Sequence, residues 1–168
     1  MDHCERTDPP NFGPEKEMLV AFLDFQRDTA ICKLQGVSED DARRTLGPST
    51  LTLIGIVTHL TFVERTWFRV VMSGEDVALA GYPDDSTLYW DAPAGASIDD
   101  VIAAYRAEVT RSNETIRMHD LDDMSVTGRR HRPPVQLRWI MLHMIEEVAR
   151  HLGHMDLIRE SIDGEVGA

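Results

Sequence analysis

LRWIMLHMIEEVARHLGHMDLIRES, residues 137–161, decides the fold. Leu137, Ile140, Met144, Val148, Leu152, Met155 and Ile158 recur at three- and four-residue spacing, the period of an α-helix with one apolar side. The same stretch carries His143, Glu147, His151 and His154. With His143 as origin, His154, Glu147 and His151 fall at about 20°, 40° and 80° around the helix, along the inward edge of the apolar arc. Glu146, Arg150 and Glu160 project to the opposite, solvent side. Burying carboxylates and imidazoles without partners is costly, so this polar ribbon has to be compensated, either by a hydrogen-bond network in the core or by an ion.

Three more long helices are legible upstream. The first runs from about Pro14 to Leu34, with proline and two glutamates at its start, Leu19, Phe22, Leu23, Gln26, Ala30 and Leu34 as its stripe, and Gly36 as its stop. A helical turn capped by Ser38 follows and stops at Gly47-Pro48. The second long helix is expected from about Thr50 to Ser73, with Leu53, Ile56, Leu60, Val63, Trp67 and Val71 inward and Gly74 as stop. His59 and Glu64 fall at the two edges of that stripe, and Glu64 there requires a partner. The third begins at Ser97, with Asp100 completing a carboxylate capping box, and ends near His119; Val101, Tyr105, Val109, Ser112 and Ile116 form its inward side. Pro133-Pro134 leads into the fourth helix, from about Val135 to Ser161.

Residues 75–96 have no sustained period but hold Tyr82, Tyr89 and Trp90, which reads as a long loop with aromatic anchors covering one end of a bundle. Four amphipathic helices with one long connection predict an all-α four-helix bundle over residues 13–164, preceded by a flexible leader, residues 1–12. The sequence shows no internal repeat, low-complexity tract or strand pattern.

Composition narrows the function. The net charge is -12, and only Arg129, Arg130, His131 and Arg132 cluster basic groups, so nucleic acid is not an expected partner. No apolar run approaches the roughly 20 residues of a membrane span, and the acidic, proline-containing start has no secretory pattern, which points to a cytoplasmic protein. Cys4 and Cys32 are too few for a disulfide framework and are expected to be reduced. The eight methionines are packing residues.

Glu147 and His151 stand one helical turn apart, which lets both reach one divalent ion at about 2 Å per donor, and the inward His59 supplies a third ligand. Three protein ligands with an open position is the arrangement of a catalytic metal, whereas a structural site is closed by four. A core hydrogen-bond network of neutral histidines is the alternative, and spacing alone does not choose between them. His143 and His154 read as supports of the ribbon, while His3, His119 and His131 fall in tails, helix ends or loops.

The stretches THLTFVERTWFR (58–69), LRWIMLHMIEEVARHLGHMDLIRESIDG (137–164), GPEKEMLVAFLDFQRDTAICKLQGVSEDDAR (13–43) and SIDDVIAAYRAEVTRSN (97–113) together resemble the DinB-like superfamily, in particular its actinobacterial branch long filed as a domain of unknown function. The resemblance spans nearly the whole chain, is weakest over residues 75–96 and is absent from the first dozen. It implies a bundle in up-down-down-up order and a divalent metal, zinc or nickel, on His59, Glu147 and His151. Many relatives have histidine at the Glu147 position; the mycothiol-dependent maleylpyruvate isomerase is similar in using glutamate there, which makes the site harder and more anionic. His154 stands where relatives often have glutamine.

The resemblance further implies a mycothiol-type thiol as cosubstrate, a small electrophile as the other substrate, transfer or isomerisation chemistry, and a homodimer. Within that reading Glu64 orients His59 or a bound water, or else pairs with an arginine of another helix. Arg106 recognises anionic groups of the thiol or substrate, or else makes a surface ion pair. Trp90 lines the cofactor pocket, whereas Trp67 and Trp139 are either pocket walls or core filler. A non-catalytic metal-binding or stress-response bundle is the second reading, and a bundle without metal the third.

Overall fold

The computed structural model describes residues 6–77, 90–128 and 133–167. Its long helices are α1 (Glu15–Leu34), α3 (Leu53–Glu64, continued by a π-helical segment, Arg65–Met72), α4 (Ile98–Met118) and α5 (Leu137–Asp163), with a single turn, α2 (Glu39–Ala42), between the first two. Each start follows its cap. The Ser38 hydroxyl accepts from Asp41 N–H, Thr52 from Gly55 N–H, and Ser97 and Asp100 close the reciprocal capping box at α4. Pro14 precedes α1 and Gly164, at φ 78°, ends α5.

Cross-links between helices fix their directions. Lys16 reaches the His119 carbonyl and Arg27 reaches Asn113, so α1 and α4 are antiparallel. Glu15 pairs with Arg138 and Lys33 with Asp156, so α1 and α5 run the same way. Arg65 meets Glu108 and Ser73 meets Thr115, which makes α3 and α4 parallel; His59 meets Glu147 while Trp67 meets Trp139, which makes α3 and α5 antiparallel. The order is up-down-down-up. Parallel neighbours cannot be joined by a tight turn, which is why the chain spends residues 73–97 between α3 and α4.

The core follows the expected stripes on α4 and α5: Val101, Tyr105, Ser112 and Ile116, and Leu137, Ile140, Met144, Val148, Leu152, Met155 and Ile158, are buried, while Val109 is half-buried and its neighbour Glu108 is buried. On α1 the phase differs. Phe22, expected inward, is 43% exposed, and Arg27, between Leu23 and Ala30 on the true inward stripe, is fully buried. Its guanidinium donates Nε to Glu64 Oε1 and Nη2 to Glu64 Oε2, both at 2.7 Å, and Nη1 to Asp24 and Asn113. Burial works against this charge, but the Glu64 carboxylate outweighs it and raises the arginine's pKa.

The second half of the expected second helix is π-helical rather than α-helical. Thr58, Thr61 and Thr66 return their hydroxyls to carbonyls four residues back, which competes with regular turns, and Ser73 N–H bonds Phe68 O across five residues. Val126 and Thr127 N–H groups then satisfy the Met72 and Val71 carbonyls. Gly74 ends the helix at φ +68°, and a Cβ there would stand 2.6 Å from the Val126 side chain, so glycine is demanded twice over.

Arg6 lies against α1, donating to Thr29 Oγ1 with its guanidinium over the Phe25 ring. One expectation for the N-terminal region changes. Cys32 is disulfide-bonded, not reduced; Cys4 lies outside the described residues, as do His3, Tyr82, Tyr89 and the Arg129–Arg132 cluster. No helix among the described residues is long and apolar enough to cross a membrane.

Candidate metal centre

The antiparallel contact of α3 with α5 brings His59, Glu147 and His151 together. Each offers one donor atom, and the three donors lie within 4.8 Å of one another. His59 Nε2 is 3.3 Å and His151 Nε2 is 3.4 Å from the same oxygen, Glu147 Oε1. Three donors at about 2.1 Å from a tetrahedral ion stand about 3.4 Å apart, so the donor set fits a divalent cation with little movement. The imidazoles meet edge to face, with centroids 5.0 Å apart, so both nitrogens converge without ring clash.

The surroundings are semi-enclosed. His151 is buried, and His59 and Glu147 are half-buried. The His151 and His59 ring nitrogens beside its Oε1 hold the Glu147 carboxyl far below the usual carboxylate range, against the opposing effect of burial. Arg150 Nη1 stands 3.8 Å from Glu147 Oε2. Burial, then the neighbouring His151 and Arg150, lower the His154 pKa, favouring its neutral form.

Trp90 covers the cluster from the loop. Its ring stacks on His59 with centroids 3.9 Å apart and planes 12° from parallel, and it meets the edge of His151 at 5.2 Å. Gly55 permits that approach, since a Cβ on it would lie 2.2 Å from the Trp90 carbonyl oxygen. One turn along α5 from Glu147, His143 stacks on Trp139 and abuts Trp67, a second aromatic group beside the donors.

Two residues given catalytic parts by the sequence stand elsewhere. Both Glu64 oxygens are taken by Arg27, so the ion-pair alternative is the arrangement observed, and the carboxylate faces α1 instead of the donor cluster. The physical reason is that a buried carboxylate is held most strongly by a bidentate guanidinium. Arg106 is exposed on α4, and its charge acts on Asp28 of α1, while the metal donors belong to α3 and α5. Arg27 itself was not anticipated; its i, i+3 and i+4 relation to Leu23, Ala30 and Ile31 was the available signal. An open groove between the leader, α1 and α4, floored by Val20, Phe25 and Ile116, shares no residue with the cluster.

An up-down-down-up all-α bundle with a His-Glu-His donor set between its second and last long helices defines the DinB-like class. Residues 18–164 match the family described as MST, mycothiol-S-transferase, and the chain belongs to that family. No curated protein matches the sequence.

Proposed function

We propose that this protein is a divalent-metal-dependent transferase that joins a mycothiol-type thiol to small electrophiles. The convergence of His59 Nε2, His151 Nε2 and Glu147 Oε1 under the Trp90 ring carries the reading, and membership in the mycothiol-S-transferase family supplies the thiol class. Zinc suits two imidazoles and a carboxylate, and nickel is the other metal compatible with this donor set. A cation held there supplies positive charge that keeps a thiol deprotonated near neutral pH.

The remaining work falls to the chain. His59, His151 and Glu147 leave an open side for the thiol, Trp90 packs over His59 and limits water access to the cluster, and the α3–α5 contact holds the three donors at fixed spacing. In the transfer, the thiol proton leaves to solvent, a sulfur–carbon bond forms, and the bond to the leaving group breaks, its electron pair departing with that group. With an isomerisable substrate the sulfur–carbon bond forms and later breaks, returning the thiol. The homodimer implied by the resemblance and the cytoplasmic location expected from the sequence belong to this proposal, and sedimentation of purified protein decides the first.

The test is elemental analysis of protein purified without a nickel column, followed by turnover of mycothiol with a chromogenic electrophile. Near-stoichiometric metal in the wild type, its loss in His59→Ala, and metal-dependent turnover are the expected results. Equal metal in both proteins would refute the ligand assignment. Full metal without turnover across a panel of thiols and electrophiles would favour the non-catalytic metal-binding reading.

A further inference from the structure

His151 has contacts at both ring nitrogens. Nε2 faces Glu147 Oε1 at 3.4 Å, and Nδ1 faces Nδ1 of His154 at 3.4 Å, at the long end of hydrogen-bonding range. A neutral imidazole has one N–H and one lone pair, so these contacts compete for a single proton. With the proton on Nε2, His151 donates to Glu147 and the cluster is only a hydrogen-bond network. With the proton on Nδ1, the Nε2 lone pair points into the cluster and is available to a cation.

We propose that His154 is a positioning residue that holds the proton of His151 on Nδ1 and so aims its Nε2 lone pair at the metal position. This inference rests on the metal-binding reading above. When the two Nδ1 atoms share a hydrogen bond, one bears the proton and the other accepts it. His151 is buried, whereas His154 is half-buried, so the N–H of His154 is best placed on Nε2, where water can accept it, leaving its Nδ1 as acceptor. The two residues lie three apart on α5, so the helix backbone sets their spacing without help from a loop. His154 is outside the set of converging donors, which consists of His59, Glu147 and His151. Ligating imidazoles ordinarily give their second N–H to a carboxylate or carbonyl; here the acceptor is another imidazole.

Two readouts test this on the full chain. The first is long-range proton–nitrogen NMR of metal-free, nitrogen-15-labelled protein. Wild type is expected to show His151 protonated on Nδ1, and His154→Ala to show mixed or Nε2-protonated tautomers. The second is zinc affinity by competition with a chromophoric chelator. His154→Ala should bind about 10–100-fold more weakly. His154→Asn, whose Oδ1 falls near the lost Nδ1 and accepts the same bond, should recover most of that affinity, with metal-free melting unchanged in both variants.

Zinc bound by His154→Ala as tightly as by wild type, or a wild-type His151 protonated on Nε2, would overturn the proposal. So would X-ray absorption showing one fewer nitrogen ligand in His154→Ala, since His154 would then be a ligand itself. A wild type that binds no zinc at all would defeat the metal-binding reading instead, and the tautomer spectrum would still decide the part played by His154.

Discussion

Arg27 and Glu64 show how much one residue pair can commit. Both are almost completely removed from water, at 1% and 0% exposure, and they meet through two parallel bonds, Nε to Oε1 and Nη2 to Oε2. Removing one partner strands the other, which costs about 3–5 kcal/mol, and Asp24 and Asn113 relieve part of that for Arg27. Glu64→Ala is therefore expected to lower denaturant stability by about 3 kcal/mol. Its zinc affinity should stay within a few-fold of wild type. A variant with intact stability and lost turnover would instead give Glu64 the catalytic part that its sequence position suggested.

At the scale of an element, α3 carries two demands that meet at Gly55. Glycine within a helix costs about 1 kcal/mol relative to alanine, so Gly55→Ala would be stabilising on propensity alone. The Trp90 carbonyl oxygen stands 2.2 Å from where the new Cβ would go, which forces a backbone shift, and overpacking of that kind costs about 1–3 kcal/mol. The clash outweighs the propensity gain. Gly55→Ala should lower the melting temperature and displace Trp90 from His59, read as a change in tryptophan emission and as reduced quenching on nickel addition. Unchanged emission with a higher melting temperature would show that the loop does not rest on α3 as described.

For the whole molecule, pH response follows from carboxylates spread over the surface, some tying helices together and others holding helix ends. Hydrogen bonds from Arg138 lower the Glu15 pKa below 4.5, and the Ile98 N–H with Arg43 does the same for Glu39. The Ser97 hydroxyl and N–H lower Asp100 below 3.8, and Asp163 is lowered by Arg159 despite some burial. A carboxylate with a depressed folded pKa adds stability that is complete above its unfolded pKa and is lost as pH falls through the folded one. Asp28, raised mainly by burial, works in the opposite sense. Net charge of -12 is neutralised near pH 4.9, below which added protons also build repulsion. Thermal melts should stay nearly level from pH 7 to about 5 and fall steeply below about 4. A melting temperature that rises on going from pH 5 to 3 would contradict these pairings.

The sequence by itself determined the four long helices, the Ser38 and Ser97 caps and the polar ribbon on α5, because helical period, capping hydroxyls and stop glycines act within a few residues of chain. It also placed the inward residues of α5 correctly, where apolar spacing is regular, and most of those of α4, where Val109 is only half-buried and Glu108 is buried instead. On α1, Phe22 was expected inward and is exposed, while Arg27 lies inward at helical spacing from Leu23 and Ala30, a burial made possible by a carboxylate on another helix. The π-helical turn after Glu64, the bidentate pair, the stacking of Trp90 on His59 and the shared approach of His59 and His151 to Glu147 were decided only by tertiary structure. Each depends on the register between helices or on a loop without period, and no local pattern encodes the distance between residues 88 positions apart that must meet within 3.3 Å.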